Sequence, residues 1–274
     1  MSNFYQSSDG LSLHYLDEGE GIPIICLAGL TRSARDFDFV APHLGDVRLI
    51  RPDYRGRGQS DWADPSTYTV ATEAADILAL MNHLSTEKAA ILGTSRGGLI
   101  AMVIAAMAKE RLLGVCLNDI GPVISAEGLE VIAAYIGRRP SQKTYNEAAA
   151  ARAFIMSEFK NVPESRWLEE ARALYVETEN GLELRYDPKL REAVLASAKQ
   201  PTPDLWPYFD ALSGLPTALL RGENSDLLSR ETAQEMCRRR PDMLFTEVAD
   251  RGHIPFLDEP ESLRLIQAWI QEMT

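Results

Sequence analysis

Residues 89–92 form an apolar run and residues 99–108 are nearly all apolar; between them stand Gly93-Thr94-Ser95-Arg96-Gly97 and then Gly98. A G-x-S-x-G pattern between a strand and a buried helix marks a sharp turn that carries a serine nucleophile. Side chains two positions either side of the serine would collide with so tight a turn, so glycine is needed at 93 and 97. The helix that starts there aims its first N–H groups at developing negative charge. The competing reading is a tight turn whose serine caps the helix. The strand before and the buried helix after favour the nucleophile.

Other short apolar runs cover residues 22–27, 47–50, 112–117, 217–220 and 244–248. Unbroken runs of this kind suit parallel strands covered on both faces. Residues 12–16 alternate and read as an antiparallel strand. Residues 72–85 have helical spacing, and Asp258-Glu259-Pro260-Glu261 opens a C-terminal helix, with proline and acidic residues in its first turn. Alternating strands and helices imply an α/β fold with a parallel sheet and right-handed crossovers. From about 121 to 207 the pattern is helical with no core strand, and it holds Arg138, Arg139, Trp167, Tyr175, Tyr186 and Trp206. That stretch is too long for one crossover. It is expected to be a helical cap over 122–207, inserted into a core made of 1–121 and 208–274.

The chain has 274 residues and a formal net charge of −12. Such an acidic chain repels nucleic acid and anionic membranes, so neither is an expected partner. The longest apolar run is far shorter than the roughly 20 residues of a membrane span, and the N-terminus has no basic or apolar signal region. Cys26, Cys116 and Cys237 are too few and too scattered for a disulfide framework or a zinc cluster. A reduced, cytoplasmic protein is expected. No metal-ligand spacing and no dinucleotide fingerprint occurs, so no metal or cofactor is expected. Asp53-Tyr54-Arg55-Gly56-Arg57-Gly58 is glycine-rich but lacks the Gly-Lys-Ser/Thr ending of a phosphate loop.

A serine hydroxyl needs a neighbouring base. Of His14, His43, His83 and His253, only His253 follows the last expected strand, at the same sheet edge as Ser95. The acid that orients it should come after the nucleophile and before the histidine. Asp226, just past the strand 217–220, is the first choice; Glu223, Asp250 and Asp119 are the rivals. The oxyanion of a tetrahedral intermediate needs two N–H donors. One is that of Arg96, next to the nucleophile, and the other is expected from Leu30 in the loop after the strand 22–27.

With LAGLTRSARDF, RPDYRGRGQSD, GTSRGG, LRGENSD and RGHIPFLDEPE in place, the chain resembles the α/β-hydrolase superfamily over nearly its whole length. Within it the chain looks like bacterial carboxylesterase and lactonase-type members with a helical cap. The resemblance implies an eight-stranded, mostly parallel sheet flanked by helices. Two departures stand out. Ala28-Gly29 replaces a His-Gly common in relatives, and Arg96 replaces an uncharged residue beside the nucleophile. Arg32 or Arg96 could hold a substrate carboxylate, since a guanidinium pairs with one bidentately. The other reading of these two is an ion pair with an acid such as Asp36 or Asp53.

The expected reaction is cleavage of a small carboxylic ester or lactone through an acyl-enzyme on Ser95. An amidase, a thioesterase or a carbon–carbon bond hydrolase can share the same three residues. A ligand receptor of the same fold with little turnover is the alternative from another class. Oligomeric state is not legible in the sequence.

Overall fold

The computed structural model describes residues 3–201 and 203–274. In chain order the first elements are β1 (Asn3–Gln6), β2 (Ser12–Glu18), β3 (Ile22–Leu27), β4 (Val47–Pro52), α1 (Val70–His83), β5 (Ala89–Thr94), α2 (Arg96–Ala108) and β6 (Leu112–Asn118). There follow α3 (Ala126–Tyr135), α4 (Tyr145–Ile155), α5 (Glu164–Leu174), the hairpin β7 (Tyr175–Thr178) and β8 (Gly181–Leu184), and α6 (Leu190–Ser197). The chain ends with α7 (Trp206–Asp210), β9 (Thr217–Gly222), α8 (Arg230–Arg239), β10 (Leu244–Val248) and α9 (Pro260–Gln271).

Eight strands form one sheet in the order β1-β2-β4-β3-β5-β6-β9-β10. β1 and β4 pair antiparallel with β2, and every other pairing is parallel. The expected α/β-hydrolase architecture is therefore the observed one. The period-two alternation of each strand feeds two cores. In β3, Ile25 and Leu27 face α1 and α2, while Ile24 and Cys26 face α9. In β5, Ile91 and Leu92 divide in the same way. Trp269 of α9 is fully buried and anchors the second core, its indole N–H donating to the Pro216 carbonyl. Burial of Cys26 and Cys116 pushes both thiols far up, as small apolar residues rather than nucleophiles.

Between β6 and β9 lie α3 to α6 with a small core of their own, which includes Phe159, Trp167, Ala171 and Leu182. Trp167 is thus a packing residue. The hairpin β7–β8 is the element the helical reading of this stretch did not contain. α7 straddles the expected boundary at 207, and its Phe209 packs into the same core as α2. The inserted stretch is tied to the sheet domain by Tyr68–Asp187, Arg166–Asp258 and Arg32–Glu170 side-chain contacts.

Candidate active site

The turn between β5 and α2 places Ser95 at φ 49° and ψ −111°, in the left-handed half of the map that a side-chain-bearing residue rarely adopts. The close packing around it explains the flanking glycines. A Cβ on Gly93 would stand 2.7 Å from backbone atoms of Gly97 and Gly98. A Cβ on Gly97 would overlap the Leu27 carbonyl, so glycine lets the start of α2 approach the end of β3. Ser95 is partly exposed among buried neighbours.

His253 follows β10 and meets the serine: its Nε2 lies 3.0 Å from Ser95 Oγ. Its Nδ1 lies 2.7 Å from Oδ2 of Asp119. A carboxylate only accepts, so Nδ1 carries the proton and Nε2 is free to accept from the serine hydroxyl. Asp119 is fully buried, and its Oδ1 accepts the Gly222 N–H at 2.8 Å while its Oδ2 also accepts the Ser225 hydroxyl at 2.6 Å.

His253 therefore meets Asp119 and not the expected Asp226. Leu227 and Leu228 turn into the core beside it, and Asp226 is left exposed. Ser225, the residue before it, reaches the site only as a donor to Asp119. The geometry follows from sheet order. β6 is the direct neighbour of β5, with Asn118 opposite Thr94, so the next residues, Asp119 and Ser95, leave adjacent strand ends together. β9 lies one strand further out. Glu223 is exposed and accepts the Asp250 N–H, and Asp250 pairs with Asn161. Neither rival meets His253.

The N–H groups of Leu30 and Arg96 have no hydrogen-bond acceptor among the described residues. For Arg96 this is the ordinary state of a helix's first N–H. The Leu30 carbonyl is occupied, accepting from Arg57 Nε at 3.0 Å. Arg57 also binds Glu73 at 2.8 Å, and the other oxygen of Glu73 accepts from Arg96 Nε at 2.5 Å. Arg57 and Glu73 are fully buried. Burial alone would raise the Glu73 carboxyl, but the two guanidiniums outweigh it and hold it below its ordinary value. Glu73 thereby links the residue after Ser95 to the loop that carries Leu30. Sequence reading passed over it because an acidic residue in the first turn of a helix is commonplace.

The two arginines considered for a substrate carboxylate are both engaged within the protein. Arg96 is held by Glu73 and by the Tyr68 carbonyl at 3.0 Å. Arg32 binds Asp36 at 2.9 Å and Glu170 at 2.8 Å. Both form the internal ion pairs that were the alternative reading, though the acid on Arg96 is neither Asp36 nor Asp53. Asp53 instead pairs with the buried His14 at 2.7 Å. Among the described residues no group of His, Cys, Asp and Glu could hold a metal ion, and no helix is long and apolar enough to cross a membrane.

A profile of the alpha/beta hydrolase family matches residues 24–264. A 3-hydroxybutyrate-oligomer hydrolase from Cupriavidus necator is 38% identical over 252 residues, covering 88% of this chain and 86% of its own. A 2-(acetamidomethylene)succinate hydrolase from Mesorhizobium japonicum is 26% identical over 89% of this chain and 85% of its own. The crystal structure of an alpha/beta hydrolase from Novosphingobium aromaticivorans superposes with a TM-score of 0.93 at 38% identity, covering 100% of this chain and 98% of that one.

Proposed function

Since the chain belongs to the alpha/beta hydrolase family, we propose that it is a serine hydrolase that cleaves carboxylic esters, with Ser95 as nucleophile, His253 as base and Asp119 as the orienting acid. The observation that carries this is the unbroken chain Ser95 Oγ–His253 Nε2 at 3.0 Å and His253 Nδ1–Asp119 at 2.7 Å, on a serine held at positive φ.

His253 takes the Ser95 proton as Oγ attacks the ester carbonyl. The carbonyl oxygen becomes an oxyanion and is met by the free N–H groups of Leu30 and Arg96. His253 gives its proton to the leaving alkoxide, and the alcohol departs. Water then repeats the sequence on the acyl-enzyme, with His253 as base, and releases the acid. Asp119 stays ionised throughout and stabilises the imidazolium. Ester-linked hydroxy-acid oligomers are the first natural class to test, because the 38%-identical relative hydrolyses 3-hydroxybutyrate oligomers.

The test is hydrolysis of p-nitrophenyl esters and of the 3-hydroxybutyrate dimer by the native protein and by Ser95→Ala. Multiple turnovers that fall about 10³-fold or more in Ser95→Ala are expected. Comparable turnover by the two proteins would refute the assignment. Labelling of Ser95 by a fluorophosphonate without turnover of any ester would favour the receptor reading instead.

A further inference from the structure

We infer that Asn118, the last residue of β6, is a positioning residue: its side chain fastens the chain beside Ser95 and the chain beside His253 to the strand that carries Asp119. The inference rests on the serine-hydrolase reading of the site and adds what keeps its three members in register.

Asn118 closes a strand whose other residues are apolar or small, and it is fully buried. Strand alternation places it on the face of Cys116, and Thr94, opposite it on β5, lies on the face of Leu92. An amide enclosed there costs desolvation unless it is bonded. Its Nδ2 donates to Thr94 Oγ1 at 3.2 Å and to the Pro255 carbonyl at 3.1 Å. A carbonyl only accepts, which fixes the end of the amide that faces Pro255. The main-chain carbonyl of Asn118 accepts the Ser95 N–H at 3.0 Å. Thr94 precedes the nucleophile, Pro255 lies two residues past the base, and Asp119 is the next residue along the chain. One residue thus grips all three places.

Filling the strand end does not account for an asparagine. Its Oδ1 is buried with no partner among the described residues, so part of the amide's bonding capacity is idle. An apolar residue would avoid that cost. What the amide alone supplies is a pair of N–H donors aimed at two loops. The loop of His253 depends on one of them. The other main-chain hydrogen bond of residues 253–257 among the described residues, Phe256 N–H to Glu259 Oε1 at 2.9 Å, is local. The bond from Asn118 ties this loop to the sheet. The 3.0 Å contact between Ser95 and His253 needs both loops in place. A base displaced from its nucleophile slows the chemical step without weakening substrate binding.

The test compares Asn118→Ala with Val115→Ala, an apolar truncation in the middle of the same strand. Rates on one p-nitrophenyl ester are divided by the sites that a fluorophosphonate labels, so unfolded protein is not counted. Asn118→Ala is expected to lower kcat by about tenfold or more with KM little changed. Val115→Ala should unfold at lower urea concentration and keep its kcat. The His253 Nδ1 proton, bonded to a carboxylate, is read by NMR as a far-downfield resonance. It should exchange with water faster in Asn118→Ala than in the native protein or Val115→Ala. Asn118→Ser, too short to reach the Pro255 carbonyl, carries the same expectations and replaces Asn118→Ala should that variant not fold. Native kcat in the Asn118 variant, an equal loss in Val115→Ala, or a loss confined to KM overturns the inference. Failure of the native protein to hydrolyse any ester would count against the serine-hydrolase reading alone. The proton exchange needs no turnover, and an unchanged rate in the Asn118 variant would then overturn the positioning role.

Discussion

At the scale of single residues, the proposed mechanism turns on which carboxylate meets His253. Asp119 is fully buried and bound by Gly222, Ser225 and His253, whereas Asp226 is exposed. Asp119→Asn keeps the shape but offers an amide to Nδ1, which favours the wrong imidazole tautomer. It is expected to lower kcat by about 10³ to 10⁴, while Asp226→Asn stays within about twofold, as surface substitutions do. Initial rates on one p-nitrophenyl ester check both, and the reverse pattern would restore Asp226 as the acid. Ser95 and His253 were legible because each has a local signal, a glycine-flanked turn and a position after the last strand. The acid was not, because Asp119 and Asp226 both follow apolar runs. The choice between them depends on which strand lies next to β5, and sheet order is not written in local pattern. Glu73 was hidden for a similar reason: its meaning lies in the two arginines it binds.

At the scale of elements, α2 is packed hard against the end of β3. Gly97→Ala would drive a methyl group into the Leu27 carbonyl. The variant is expected to lose about 1–3 kcal/mol of stability, as overpacked sites do. It should also lose about tenfold or more in kcat, because the gap between the Leu30 and Arg96 N–H groups widens. Urea denaturation alongside steady-state rates tests this; native stability and rate together would mean that the junction has slack. The core strands were readable as apolar runs, and α1, α2 and α9 from their spacing and first turns. The hairpin β7–β8 was not, since its residues are mostly at the surface and carry no apolar run. Its two-residue loop is Glu179-Asn180, closed by the Thr178–Gly181 pair, so Asn-Gly does not hold the two central positions where it marks a hairpin.

At the scale of the whole molecule, the seam between the inserted stretch and the sheet domain is one of the places where charge is buried. Burial pushes the Asp36 carboxyl from 3.8 up to about 7, with Glu170 adding to the rise and Arg32 opposing it. Between those values the folded protein holds a proton that the unfolded chain has released. Stability from this group therefore falls as pH rises from 3.8 to about 7 and is level above. Glu170 has the opposite sign, since its carboxyl is held below 4.5 and its contribution is lost only in more acidic solution. Asp36→Asn is expected to flatten the slope of unfolding free energy against pH between 5 and 7, in the window set by the shift to about 7. Chemical denaturation at several pH values measures it, and an unaltered slope would show that Asp36 does not titrate there. The acidic composition gave no hint of this seam, because a net charge says nothing about which charges are enclosed.

The inserted stretch leaves the sheet just after Asp119 and returns through α7, which packs on α2 before β9 begins. The path from β6 through α7 to β9 is already a complete parallel crossover between hydrogen-bonded neighbours. Everything from α3 to α6 is thus a digression hung on one strand-to-helix loop, and its length and sequence are free of the sheet's register. A lineage can exchange or remodel that digression while Ser95 and Asp119 keep their places on adjoining strand ends.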